Sequence, residues 1–110
     1  MKVHADNIGG EIVKSDDRYV VTDNAFGNSL ILSKTELNEG KETTGHKHDG
    51  QEEVYFFVGG TGQMQLDDET FSVRDGDIVC VKSGVFHKVF NDGHAPLHFV
   101  CVFDGKRYES

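Results

Sequence analysis

The chain is poor in the residues that stabilise small secreted domains. Its 110 residues include one proline, no tryptophan and two cysteines. We expect Cys80 and Cys101 to be small buried hydrophobic residues, because a lone pair of cysteines in a cytosolic chain is seldom a structural bridge. A disulfide or soft metal ligation by the pair is the alternative. No run of residues approaches the ~18 apolar positions of a membrane span, and no secretory signal pattern opens the chain. These absences predict a cytoplasmic protein.

Basic residues are also scarce, with 11 Lys and Arg against 19 Asp and Glu and a formal net charge of −8. Nucleic acids and anionic membranes are both recognised largely through clustered cations, and the sequence contains no such cluster. We therefore expect neither partner. The acidic balance favours solubility and a cationic partner such as a metal.

Glycine, in contrast, is frequent, and 13 glycines divide the sequence into short segments rich in Val, Ile, Phe, Tyr and Thr. No apolar period of 3.6 residues persists long enough for a helix. The pattern predicts an all-β sandwich or barrel made of many short strands joined by tight turns. The length suits one domain, which we place at residues 1–110. The predicted strands are EIVK, YVVT, SLILSKTEL, EVYFFV, QMQL, TFSV, DIVCV, HKVF and LHFVCVF.

One of these strands is apolar on both faces. Every residue from Val54 to Val58 is hydrophobic, so one face would line the barrel interior and the other would need a separate covering surface. A second copy of the chain would supply that surface. This pattern favours a homodimer.

Candidate metal ligands lie in two separate segments. On a strand, His46 and His48 would project from the same face about 6–7 Å apart, which lets two imidazoles converge on one cation. After the turn that follows, the chain enters another strand at Glu53, and an antiparallel neighbour would bring its carboxylate alongside the histidines. His87 begins a strand after the Ser83-Gly84 turn and could complete the site.

These two segments resemble the two conserved motifs of the cupin superfamily, here at residues 40–60 and 76–91. One departure is Lys82, where the family usually has proline, and it removes no ligand. The resemblance implies a small single-domain cupin with a double-stranded β-helix, or jelly-roll, barrel. The matching positions are Gly40, His46, His48, Glu53, Gly60, Gly76, Gly84, His87 and Asn91.

The resemblance also implies a site of three histidines and one glutamate for a divalent first-row metal such as Fe, Mn, Ni or Zn. Such ligands suit these metals better than Ca²⁺ or Mg²⁺. Glu52 is the alternative carboxylate, but the six-residue spacing to Gly60 favours Glu53. Strand parity puts the two glutamates on opposite faces, so only one can be a ligand. Four protein ligands leave open positions on the metal, an arrangement typical of catalysis.

The reaction does not follow from the fold. The stretch GKETTGHKH resembles cupin-type phosphosugar isomerases, which implies a metal-dependent sugar or sugar-phosphate isomerase with Tyr55, His98 or a metal-bound hydroxide as the base. The ligand set fits a mononuclear Fe(II) dioxygenase equally well. A cupin without catalytic activity that binds metal and a small molecule is the third possibility. A small sugar or acid is the expected substrate in the catalytic cases.

Overall fold

The strands of the protein coincide with the runs predicted from its sequence. The structure is a computed structural model that describes residues 1–27 and 29–105, and all regular elements in these ranges are strands. The fold prediction is therefore confirmed. None of these residues belongs to a helix long and apolar enough to cross a membrane. The elements are β1 (Glu11–Ser15), β2 (Tyr19–Asn24), β3 (Leu30–Leu37), β4 (Glu53–Gly59), β5 (Thr61–Leu66), β6 (Glu69–Arg74), β7 (Ile78–Val81), β8 (His87–Phe90) and β9 (Leu97–Asp104).

These strands form two antiparallel sheets that face each other. The larger sheet has the order β1-β2-β3-β9-β4-β7, and the smaller has the order β6-β5-β8. Residues 40–48 extend the smaller sheet irregularly along β8, through backbone hydrogen bonds and isolated bridges. The two sheets enclose a barrel of jelly-roll type, as the cupin resemblance implies.

The barrel interior is lined by alternate residues of each strand, as the two-residue period of a strand requires. In β4, Tyr55 and Phe57 are buried, whereas Val54 and Phe56 on the other face are 43% and 45% exposed. The buried centre is apolar and closely packed, which holds the two sheets together. Its most completely buried hydrophobic side chains are Phe57, Leu37, Met64, Leu97 and Val89.

The outer face of β4 and β7 is apolar but uncovered in the single chain. Ile78 is 64% exposed and Cys80 is exposed beside it. The expectation that both cysteines are buried is therefore wrong for Cys80, because alternation along β7 turns Val79 and Val81 inward instead. The homodimer stays a prediction.

A bulge interrupts the pairing of the edge strand β1 with β2. Ile12 lies opposite Thr22, but Lys14 lies opposite Val21, so Val13 is one residue in excess. In regular register Lys14 would lie opposite Val20, whose side chain is on the outer face of the sheet. The bulge moves Lys14 opposite the inward-facing Val21, because a bulge reverses the facing of the residues after it.

Truncating Phe57 should destabilise the protein strongly. Its ring is fully buried, and Phe→Ala in a packed core costs roughly 3–5 kcal/mol. The matched control is Phe26→Ala, in a loop where the ring is 52% exposed, for which we expect a loss below about 1 kcal/mol. Urea denaturation followed by circular dichroism measures both. Equal losses for the two variants would contradict this assignment of the core.

Candidate metal centre

His46 and His48 lie on an irregular segment and not on the regular strand expected from the sequence. The amide of His46 donates to the carbonyl of His87 at 3.0 Å, and the amide of His87 donates back at 2.8 Å. Nearer the start of the segment, the Thr43 hydroxyl accepts the Val89 amide at 3.0 Å where the register slips by one residue. Because of this slip, the segment and β8 do not form a continuous ladder of hydrogen bonds. Both imidazoles nevertheless point to the interior.

The loop that follows His48 is tied to the turn before β8. The amide of Gly84 donates to the carbonyl of His48 at 2.8 Å, and the amide of Gly50 donates to the Ser83 hydroxyl at 2.6 Å. Gly84 has a φ of +79°, a conformation that glycine adopts without strain. The turn therefore forms with Lys82 in the place where the family motif has proline.

Glu53 reaches the histidines from the opposite sheet. It is the first residue of β4, which pairs with β7 and β9 and not with the segment that carries His46 and His48. The expectation that an antiparallel neighbour brings the carboxylate alongside the histidines is therefore wrong, and the side chain crosses the barrel interior instead. Glu53 is 8% exposed, whereas Glu52 points to solvent. Strand parity thus selects Glu53, as predicted.

Three of the four expected ligands form a compact group. The donor atoms of His48, Glu53 and His87 all lie within 4.8 Å of one another. Glu53 Oε1 is 3.5 Å from His87 Nε2 and 4.0 Å from His48 Nε2. His46 stands beside this group, with its ring 5.4 Å from the ring of His48 and nearly parallel to it at 15°. The structure therefore brings all four predicted side chains to one place.

Two further contacts orient these side chains. The Cys101 thiol donates to Glu53 Oε2 at 2.9 Å, which leaves Oε1 directed at the histidines. On the other side, His87 Nδ1 lies 3.1 Å from the carbonyl of Val85, so its Nε2 faces the centre of the group. Contacts of this kind usually fix the orientation of metal ligands. Sequence reasoning placed Cys101 in the core but gave no sign of this contact with Glu53.

The charges of the group are coupled. Burial alone would raise the pKa of Glu53, but hydrogen bonds with His87 and Cys101 outweigh it and lower the pKa. Burial likewise disfavours the charged form of His87, yet its contact with Glu53 raises the pKa of this imidazole above the usual value. The pKa of His46 is lowered by burial and by the neighbouring His48 and His87. The contact between Glu53 and His87 therefore favours the charged form of each.

The group lies at one side of a half-open cavity of about 580 Å³ between the two sheets. Tyr55 lines this cavity, with its ring edge-on to His87 at 5.9 Å. His98 does not, because Leu97 and Phe99 occupy the inward positions of β9. Its ring packs outside near Gly59, with Nδ1 3.6 Å from Glu36 Oε1. His98 therefore lies away from the cavity that Tyr55 lines, and the identity of the base stays a prediction.

The cavity also contains polar side chains that the sequence did not single out. Lys14 and Tyr19 line it from outside the two motifs, and Thr44 lines it from within the first motif. The Lys14 ammonium lies over the Tyr19 ring at 5.2 Å, and the Tyr19 hydroxyl is 3.4 Å from Thr44 Oγ1. The position of Lys14 in the cavity depends on the bulge at Val13, and this bulge has no clear sequence signature.

The chain belongs to the cupin family. The sequence profile described as "Cupin domain" matches residues 33–103, which include all four residues of the candidate metal centre. An uncharacterised protein of Methanocaldococcus jannaschii is 40% identical over 70 residues, covering 64% of this chain and 56% of that protein. An oxalate-binding protein of Thermotoga maritima is 28% identical over 72 residues, covering 66% and 60%. The chain thus spans less than two thirds of each of these relatives.

Solved structures show the same fold at low sequence identity. A predicted oxalate decarboxylase from Thermotoga maritima superposes with a TM-score of 0.79 at 20% identity, covering 96% of this chain and all of that one. A double-stranded β-helix protein from Klebsiella pneumoniae gives a TM-score of 0.80 at 19% identity, covering 94% and 88%. At these identities the similarity establishes the fold alone.

The donor group fits a first-row divalent cation. Two ligands that each lie ~2.1 Å from one ion are at most ~4.2 Å apart, and the distances from Glu53 Oε1 to the two histidine nitrogens are 3.5 and 4.0 Å. Imidazole and carboxylate donors also suit such ions. The buried Glu53 carboxylate and its histidine neighbours thus form a possible metal site.

Replacing Glu53 with glutamine should remove stoichiometric metal. The variant keeps the shape of the side chain but loses its charge, and even a residue that only orients a ligand changes metal affinity by about 10–100-fold. We therefore expect a loss beyond about 100-fold for Glu53→Gln, measured by titration of the chelator-treated protein with Mn²⁺ or Zn²⁺. Glu52→Gln is the matched control and should bind like the wild type. Equal losses, or retention by Glu53→Gln, would contradict the assignment of Glu53.

Metal affinity should rise with pH as His87 loses its proton. The raised pKa of His87 means that a metal must displace a proton below that pKa, whereas above it the imidazole is already neutral. Calorimetric titrations between about pH 6 and pH 8, in buffers of different ionisation enthalpy, measure both affinity and proton release. Proton release that increases with pH, or an affinity that falls, would contradict the coupling of His87 to Glu53.

Proposed function

We propose that the chain is a metal-dependent enzyme that acts on small oxygen-rich substrates. Its reaction would be the isomerisation or epimerisation of a sugar or a sugar phosphate. The observation that carries the proposal is the group of His48, Glu53 and His87, with His46 adjoining, at one side of a half-open cavity. A purely structural metal site usually closes its coordination sphere with protein ligands. This group instead borders a volume large enough for a small sugar.

His46, His48, Glu53 and His87 would hold the metal in this proposal. A bound first-row cation supplies a Lewis acid that polarises a carbonyl. The residues themselves position the substrate and exclude water, since Phe99 and Phe103 form apolar parts of the cavity wall. They act from two opposed sheets, so the substrate would be held between them.

Tyr55 is the candidate for moving the proton between the two carbons of the substrate. It lines the cavity directly beside His87, so its side chain borders the same cavity as the proposed ligands. General acid–base catalysis by a positioned side chain typically contributes about 10²–10⁴-fold to the rate. The phenyl ring also packs against Phe99 at 5.4 Å, which restrains its orientation.

A second candidate function is the binding of a small carboxylic acid without turnover. The observation in its favour is the relative from Thermotoga maritima whose name is oxalate-binding protein. A short dicarboxylate would use the same metal and the same cavity. The two candidate functions make different predictions for Tyr55. In the enzyme it affects the rate of turnover, whereas in the binding protein it affects only the affinity for the ligand.

Turnover of sugars and sugar phosphates by protein loaded with Mn²⁺ or Zn²⁺ under anaerobic conditions tests the proposal. We expect isomerisation or epimerisation, detected by exchange of substrate C–H hydrogen with D₂O. Tyr55→Phe, which retains the ring, should lower kcat about 10²-fold or more while metal content is unchanged.

Bound acid without any exchange would favour the binding function. Iron in the isolated protein, together with oxygen uptake, would instead favour the dioxygenase and overturn the isomerase. Exchange at an undiminished rate in Tyr55→Phe would remove Tyr55 from the proton transfer.

A further inference from the structure

We propose that Lys14 forms an anion-binding subsite within the cavity, so that the ligand has an oxygen-rich head for the metal and a carboxylate or phosphate tail for Lys14. This inference rests on the proposed function and deepens it by naming the substrate class. The lysines of the two motifs do not line the cavity. Lys47 and Lys82 point to solvent, whereas Lys41 is paired with Asp17 at 3.6 Å and Lys88 with Glu42 at 2.7 Å.

The bulge in β1 is the first support. Without it, Lys14 would lie opposite Val20 on the outer face of the sheet. With it, Lys14 lies opposite Val21, which faces the interior. Bulges are frequent next to active sites, where they redirect a side chain. Here the redirected side chain is a lysine that lines the same cavity as His46 and Glu53.

The neighbours of Lys14 are the second support. The Lys14 ammonium lies over the Tyr19 ring at 5.2 Å, and the Tyr19 hydroxyl is 3.4 Å from Thr44 Oγ1. The three polar groups are therefore close together, and an ammonium with two hydroxyls provides several donors for one anionic group. Burial would raise the pKa of the Tyr19 hydroxyl, but hydrogen bonds with Lys14 and Thr44 outweigh it and lower the pKa.

Lys14 and its neighbour Arg18 differ in their ion pairs. Arg18 also approaches Tyr19 and donates to Thr44 Oγ1 at 2.9 Å, but it forms an ion pair with Asp16 at 2.8 Å. Among residues 1–27 and 29–105, no carboxylate oxygen lies within 4.0 Å of the Lys14 ammonium. Asp23 is a further charged group that lines the cavity from β2. Within this described part of the chain, Lys14 thus offers one positive charge to one anionic group.

These positions define the ligand. Its head must present oxygen donors to the metal, and its tail must carry a negative charge on the side that faces β1. Hydroxy acids with a second acidic group, and phosphorylated sugars or sugar acids, share this chemistry. An uncharged sugar lacks the tail and would leave Lys14 without an anion. The cavity therefore selects for acidic substrates even though the protein as a whole is acidic.

Matched pairs of 2-hydroxy acids test the subsite in the Mn²⁺-loaded protein. L-Lactate and L-malate share the chelating head, and malate adds a carboxylate. D-Glycerate and 3-phosphoglycerate form the equivalent pair for phosphate. Isothermal titration gives the preference for the member with the tail. Charge-assisted hydrogen bonds are about twice as strong as neutral ones, so we expect the preference to fall about tenfold or more in Lys14→Met.

Two control variants make the comparison specific. Lys14→Arg keeps the charge and should retain most of the preference. Lys82→Met removes the same charge from the solvent-exposed surface and should change nothing. Each preference is the affinity for the ligand with the tail divided by the affinity for the ligand without it, measured in the same variant. The stronger intrinsic chelation of the metal by malate contributes equally in every variant and therefore cancels when variants are compared. A fall in one pair only would identify the tail as carboxylate or as phosphate.

Metal binding and the preference are read separately. A wild-type protein that binds Mn²⁺ and lactate, but whose preferences do not change in Lys14→Met, would overturn the subsite and leave the metal site intact. A wild-type protein that binds no Mn²⁺ would overturn the proposed function. The same titrations without metal then decide the subsite, which stands if the preference still depends on Lys14 and falls if it does not.

Discussion

The burial of one carboxylate determines how this barrel is built. Glu53 is 8% exposed and lies between two apolar sheets, where an uncompensated charge costs several kcal/mol even after relaxation. Its compensation comes from His48, His87 and the thiol of Cys101. Burial would lower the pKa of His87, but its contact with Glu53 raises it and so favours a positive charge beside the carboxylate. A divalent cation would provide a larger positive charge, with the carboxylate and the histidines arranged around it.

This constraint explains why distant segments meet. Glu53 begins a strand of the larger sheet, whereas His87 begins a strand of the smaller one. The His46 segment joins the smaller sheet through paired backbone hydrogen bonds with His87. The site therefore exists only when the two sheets face each other, and the metal would link them. Cys101, on β9, adds a contact from the strand next to β4.

Strand positions were predictable from the sequence, because alternation and turn residues are local signals. The choice of Glu53 over Glu52 followed from the spacing to Gly60, whereas parity showed only that the two lie on opposite faces. His98 was not predictable, since its strand is apolar on both faces and its parity gives no answer. The strand expected at His46 was wrong because the slip at Thr43 depends on its partner strand. Lys14 was missed for the same reason, since a bulge is a property of the pairing between two strands.

The acidic surface and the interior serve different purposes. A net charge of −8 disfavours anionic partners at long range, although salt screens this effect beyond about 8 Å at physiological ionic strength. Inside the cavity the cationic groups lie close to any bound ligand. Selectivity would thus arise after entry, from contacts at the metal and at β1.

We propose that four side chains hold one cation and leave part of its coordination sphere to solvent or substrate. X-ray absorption spectroscopy of the Mn²⁺- or Zn²⁺-loaded protein is the sharpest test of this arrangement. We expect multiple scattering from three imidazoles, a carboxylate oxygen, and a further oxygen that exchanges when a hydroxy acid is added. A sphere completed by protein ligands alone, or one with fewer than two imidazoles, would contradict it.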